Sequence, residues 1–161
     1  MQVKQVMSQP AVTCPVNATL DTVARCMWEC DLGAIPLVDD NGKIAGVITD
    51  RDICMAAYTQ GRPLSAIPAA TAMAKEVFCC QPEETTESAE WLMAQKQIRR
   101  LPVVDRDGRP VGVFAVADLA RVATTQANGA EHEVVETLIA IAEPHNGAAR
   151  ERTSPSRRVT A

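Results

Sequence analysis

The residues best suited to chemistry stand in the stretch Gly46-Val47-Ile48-Thr49-Asp50-Arg51-Asp52, where an apolar run ends in a polar, helix-starting turn. Gly46 permits the close approach of a backbone or a ligand, and Val47 and Ile48 suit a buried strand. Thr49 brings a hydroxyl and Asp52 a carboxylate three residues later, so one helical turn sets both on the same side of the opening helix. The free N–H groups and positive dipole end of that helix favour an anion, while a carboxylate accepts hydrogen bonds from two neighbouring ribose hydroxyls. Phosphate and ribose are thus both provided for. The same residues also suit a plain cap, with Thr49 or Asp50 closing a helix that starts near Arg51.

The elements that must position this stretch belong to a chain of 161 residues, 47% of them hydrophobic, enough for one respectable core but not for two large domains. A net charge of −4 and a pI of 5.2 argue against a general nucleic-acid or membrane-surface binder, since those need a basic face. Met1 to Met7 lack the charged flank and apolar run of a signal peptide, and no run of about 18 apolar residues occurs, so a soluble cytoplasmic protein is expected. Cys14, Cys26, Cys30, Cys54, Cys79 and Cys80 show no CxxC spacing and read as reduced thiols. Cys26 and Cys30 lie one helical turn apart but have no histidine or second pair beside them, so no metal site is expected. Catalysis is not expected either: no nucleophile has a recognisable base, and His132 and His145 stand outside the repeated part of the chain.

That repetition is the strongest feature of the sequence. Pro36 and Pro102 lie 66 residues apart, and the same offset, without a gap, pairs Met7 with Met73, Thr19 with Thr85, Val38 with Val104, Gly42 with Gly108, Gly46 with Gly112 and Asp52 with Asp118. In the first copy Val12 to Cys14 reads as a short strand, and Thr19 caps a helix carrying Leu20, Val23, Ala24 and Met27 on one stripe. Ile35 to Val38 and Ile44 to Ile48 are strands joined by the tight turn Asp39-Asp40-Asn41-Gly42, and a helix from about Arg51 to Tyr58 stops at Gly61. The second copy repeats the plan, with Val77 to Cys79 as strand, a helix from about Thr86 turning Ala89, Leu92 and Met93 inward, and strands Leu101 to Val104 and Val111 to Phe114. The expected organisation is repeat one over 1–60, a Pro- and Ala-rich connector over 61–72, and repeat two over 73–125. A helical segment over 126–143 follows, its helix from about Glu131 carrying Val134, Val135, Leu138, Ile139 and Ala142 on one stripe, and then a basic tail over 144–161 without core pattern, expected to be disordered.

Ile35-Pro36-Leu37-Val38-Asp39 with Gly46-Val47-Ile48-Thr49-Asp50-Arg51-Asp52, echoed by Leu101-Pro102-Val103-Val104-Asp105 with Gly112-Val113-Phe114, resembles a tandem pair of CBS domains from Met7 to about Ala123. The resemblance implies an α/β (α+β) fold: two β-α-β-β-α repeats, related by a pseudo-twofold axis and packed through their sheets. It further implies two clefts, a regulatory role without chemistry, no required cofactor, and an adenosine-containing ligand such as AMP, ADP, ATP, NAD or S-adenosylmethionine. A homodimer and a regulated partner protein, unidentified by the sequence, belong to the same expectation. Matched by position, the main cleft combines Thr49, Arg51 and Asp52 with Val77, Phe78, Arg99 and Arg100. The second combines Asp118 with Ala11, Val12, Gly33, Ala34 and Ile35, and is degenerate: Ala115 replaces a Thr or Ser, and Gly33-Ala34 replaces the arginine pair. It is therefore expected to be empty, weaker, or selective for an uncharged adenosyl group. The alternative function is a dimeric interaction protein with vestigial clefts.

Overall fold

The computed structural model describes residues 1–123 and 130–142, so the basic tail lies outside the described residues. Repeat one supplies β1 (Cys14–Pro15), α1 (Leu20–Glu29), β2 (Ala34–Val38), β3 (Ile44–Thr49) and α2 (Asp50–Gln60). Repeat two supplies α3 (Thr86–Lys96), β4 (Arg100–Val104), β5 (Pro110–Ala115) and α4 (Val116–Ala123), and α5 (Ala130–Ala142) follows. β1 runs parallel to β2, and β2 antiparallel to β3, while β4 and β5 form the second antiparallel pair. Register repeats with the sequence: Leu37 faces Gly46, and Val103 faces Gly112. The hairpin turns rest on Gly42 and Gly108, whose φ of 76° and 80° lie in the left-handed region that a side chain disfavours. The two turns meet, Ile44 N–H donating to Gly108 O (2.9 Å) and Arg109 Nε–H to Asn41 O (3.3 Å).

Each repeat builds its own core. The α1 stripe is buried as its spacing predicts, with Leu20, Val23 and Met27 packed against Ile35, Leu37 and Ile48. Phe114, Leu101, Val103, Ala89 and Met93 form the counterpart. The opening strands are shorter than predicted: β1 begins at Cys14, and in repeat two it shrinks to a single bridge between Cys80 and Val103. The preceding residues are drawn elsewhere, since Ala11 N–H donates to Val111 O of the other repeat (3.2 Å).

The segments that lead into the repeats cross over. Ser8 pairs with Val113 in both directions (2.9 Å each), and Val3 is fully buried in the core of repeat two. Ala74 pairs in the same way with Val47, and Ile67 and Ala69 are buried in the core of repeat one. The methionines before these pairs lie over the strand glycines. A Cβ at Gly112 would stand 2.7 Å from Met7 Sδ and 2.8 Å from Ser8 O, the latter a backbone atom held by the pairing. Gly112→Ala is therefore expected to cost about 1–3 kcal/mol by overpacking, seen as a lower urea midpoint at unchanged slope. An unchanged midpoint would mean that the arm yields freely.

α5 packs on α3 and α4 through a face that shares only Val134 with the predicted stripe among the residues whose burial is described. Val134, Thr137 and Ile141 are buried, while Val135, Leu138 and Ile139 are 51%, 43% and 58% exposed. A helix apolar around most of its circumference offers two seams at helical spacing, and only the groove it meets chooses between them. No helix among the described residues is long and apolar enough to cross a membrane.

Candidate functional site

The stretch from Gly46 to Asp52 forms the end of β3 and the first turn of α2. Thr49 is the N-cap, in extended conformation, and α2 begins at Asp50 because Thr49 and Asp52 close a reciprocal box. Asp52 N–H donates to Thr49 Oγ1 (3.2 Å), while Asp52 Oδ2 accepts from Thr49 N–H (2.8 Å) and Thr49 Oγ1–H (2.7 Å). The capping and ligand readings are therefore compatible. The Thr49 hydroxyl proton is committed to Asp52, so Thr49 holds the carboxylate in place. Asp52 Oδ1, half-buried with its residue, has no hydrogen-bond partner among the described residues. Arg51 is exposed on the same turn.

Repeat two reaches this corner through Arg100. A Cβ built on Gly33 would lie 3.2 Å from Arg100 Nη2, so the guanidinium rests on the bare Cα of Gly33. Gly33 in turn accepts from Asp50 N–H (3.4 Å), which places Arg100 beside the start of α2. An open cleft of about 800 Å³ lies here, lined by Trp28, Asp31, Gly33, Asp50, Ile53 and Arg100 among others. Gly33 and Arg100, which the family resemblance assigns to different clefts, lie against each other. Arg99 and Arg100 are exposed and carry no ion pair among the described residues. A guanidinium in that condition is available to an anion such as phosphate.

The remaining candidates divide. Phe78 is half-buried against the core of repeat two with Lys96 Nζ 4.4 Å from its ring centroid, a cation–π contact that the sequence reading missed. Val77 is half-buried beside it. Ala11, Val12 and Ala34 are half-buried, but Ile35 is fully buried in the core of repeat one, so its side chain cannot line a cleft. Asp118 is 2% exposed, and its carboxylate accepts from Ala115 N–H (2.8 Å), Arg121 Nη2–H (3.1 Å) and Ser8 Oγ–H (3.4 Å). Trp28, Asp31 and Asp50 were also missed. Trp28, being 87% exposed on α1, reads in sequence as an ordinary apolar helix residue.

Burial pushes the Cys79 thiol up to about 11 and, with the Glu84 and Cys79 charges adding, the Cys80 thiol up to about 12. Burial likewise raises Cys14.

Two copies of one α/β unit, each with an aspartate in the first turn of its last helix, define a tandem-repeat module. The CBS domain family model matches residues 3–58 and 67–124, and the chain belongs to that family. The CBS domain-containing protein YhcV of Bacillus subtilis is 40% identical over 118 residues, 73% of this chain and 82% of that one. A homoserine O-acetyltransferase of Methanohalobium evestigatum is 31% identical over 119 residues, but the match spans 74% of this chain and only 23% of that enzyme. The CBS domain pair of protein MJ0100, solved with 5′-methylthioadenosine and S-adenosyl-L-methionine, superposes with a TM-score of 0.71 at 26% identity over 78% of this chain and 97% of that one.

Proposed function

We propose that this protein is a cytoplasmic regulatory module that binds an adenosine-containing ligand and passes the resulting change of shape to a partner protein, without catalysing a reaction. One observation carries the reading: Asp50 and Ile53 at the head of α2 in repeat one and Arg100 from repeat two line a single cleft, with Asp52 on the same helical turn. Asp52 Oδ1 accepts the ribose hydroxyls, the first N–H groups of α2 with Arg99 and Arg100 hold phosphate, and Val77 and Phe78 flank the base. The ligands held by the solved pair of protein MJ0100 support an adenosyl group. In the acetyltransferase relative the match covers under a quarter of the chain, as an accessory unit would, which supports a role outside the chemistry.

Thermal unfolding with AMP, ADP, ATP, NAD, S-adenosylmethionine and adenosine tests the reading, since a ligand at 100 times its dissociation constant adds roughly 2.7 kcal/mol. At least one is expected to raise the midpoint, and Arg100→Ala is expected to weaken AMP while leaving adenosine nearly unchanged. No shift with any of the six would move the role to protein interaction.

A homodimer is part of the proposal. Trp28, Tyr58 and Trp91 are 87%, 82% and 65% exposed on the helices, and α5 exposes Val135, Leu138 and Ile139, more apolar surface than a lone chain usually leaves in water. Light scattering is expected to give twice the chain mass at micromolar concentration; the mass of one chain would refute it.

A further inference from the structure

Asp52 and Asp118 are counterparts in the repeat, yet the structure treats them differently, and the residues responsible are themselves counterparts. Ala115, Arg121 and Ser8 touch or adjoin Asp118, and their counterparts at the 66-residue offset are Thr49, Met55 and Ala74. In repeat one the Thr49 hydroxyl satisfies Oδ2 of the aspartate and leaves Oδ1 open. In repeat two that hydroxyl is missing, and two groups absent from repeat one converge on the other oxygen: Arg121 Nη2–H and Ser8 Oγ–H both donate to Asp118 Oδ1. Ser8 is delivered by the crossed-over N-terminal arm through its pairing with Val113, and Arg121 by the next turn of α4. The carboxylate is left 2% exposed, beyond the reach of a solute unless one of these groups moves.

Resting on the adenosyl-binding reading above, we propose that Arg121 and Ser8 occupy the position in the second cleft that a ribose would take, so that the chain binds one adenosyl ligand instead of two. Arg121 is the specificity-determining residue of that cleft, an internal cation in place of the ligand's hydroxyl donors. Because its side chain is 68% exposed, it can be exchanged without opening the core.

The test is equilibrium dialysis with labelled adenosine, which needs no phosphate contact, on the full chain and on variants that restore the repeat-one pattern, with circular dichroism melting to confirm folding. Wild type is expected to bind one adenosine per chain and to lose it on Asp52→Ala. Ala115→Thr with Arg121→Met is expected to bind two, the second surviving Asp52→Ala and disappearing when Asp118→Ala is added. Arg121→Lys, which keeps the cation, is expected to stay at one. Should the double variant melt below the assay temperature, Arg121→Met alone carries the comparison and is expected to show the second site, more weakly. A folded Arg121→Met series that stays at one overturns the proposal, as does a wild type that binds two with the second lost on Asp118→Ala. If wild type binds none, the adenosyl reading of the main cleft fails. The Arg121 proposal then stands only if the double variant gains a site that depends on Asp118, and falls if it gains none.

Discussion

Asp52→Ala is expected to lower the affinity for AMP by about tenfold to 150-fold, because a hydrogen bond to a charged group is worth roughly 1.5 to 3 kcal/mol. The substitution removes the open Oδ1, the proposed ribose acceptor, and with it the Oδ2 that accepts from Thr49 N–H and Oγ1–H. Part of the loss therefore comes through the head of α2, whose cap is weakened by the same change. Asp52→Asn separates the two contributions, since it keeps the shape of the box and one oxygen acceptor but not the charge, and is expected to fall between wild type and Asp52→Ala. Asp118→Ala, at a carboxylate already occupied by Ala115, Arg121 and Ser8, is expected to cost far less for AMP. Calorimetric titration of the folded variants decides the matter. AMP binding that survives Asp52→Ala and is abolished by Asp118→Ala would place the working cleft in the other repeat.

Phe114→Ala is expected to lower the stability of the fold by about 3–5 kcal/mol, the usual range for emptying an aromatic site in a packed core. Phe114 is fully buried on β5 opposite Leu101 and packs with Met93, Ala89 and Val103. Its counterpart 66 residues earlier, Ile48, is also fully buried, so the same inward position of the strand supports both cores. Phe114→Leu, which leaves a smaller cavity, is expected to cost less than half as much. Urea denaturation measures both, and a loss below about 1 kcal/mol for the alanine variant would mean that the site collapses around the missing ring.

Much of this architecture was legible from local pattern. The 66-residue offset returns as matched register, with Leu37 on Gly46 and Val103 on Gly112. The cap at Thr49, the end of α2 at Gly61 in the left-handed region, and the buried stripe Leu20, Val23 and Met27 all sit where residue type and spacing put them. These features depend on atoms within a few residues of one another, so the choice among turn, strand and helix is made by steric and hydrogen-bonding preferences that travel with the segment.

What the tertiary structure decided are the contacts between distant parts of the chain. That Ser8 belongs to repeat two, and that Ala74 belongs to repeat one, follows from which strand edge was left open when the two hairpins met. The hydrogen bond from Ser8 to Asp118 spans 110 residues, and no window of local sequence contains both ends. The offset comparison did hold a signal, since Arg121 stands where Met55 does and Ser8 where Ala74 does, but without the fold these mismatches do not point to one carboxylate. The sequence by itself determined the repeated unit, its turns and caps, and the residue types able to hold a ribose and a phosphate. Which face of α5 is buried, that Ile35 is core, and that Asp52 keeps an open oxygen while Asp118 does not, were decided by packing, because long-range partners are chosen only when the chain closes on itself.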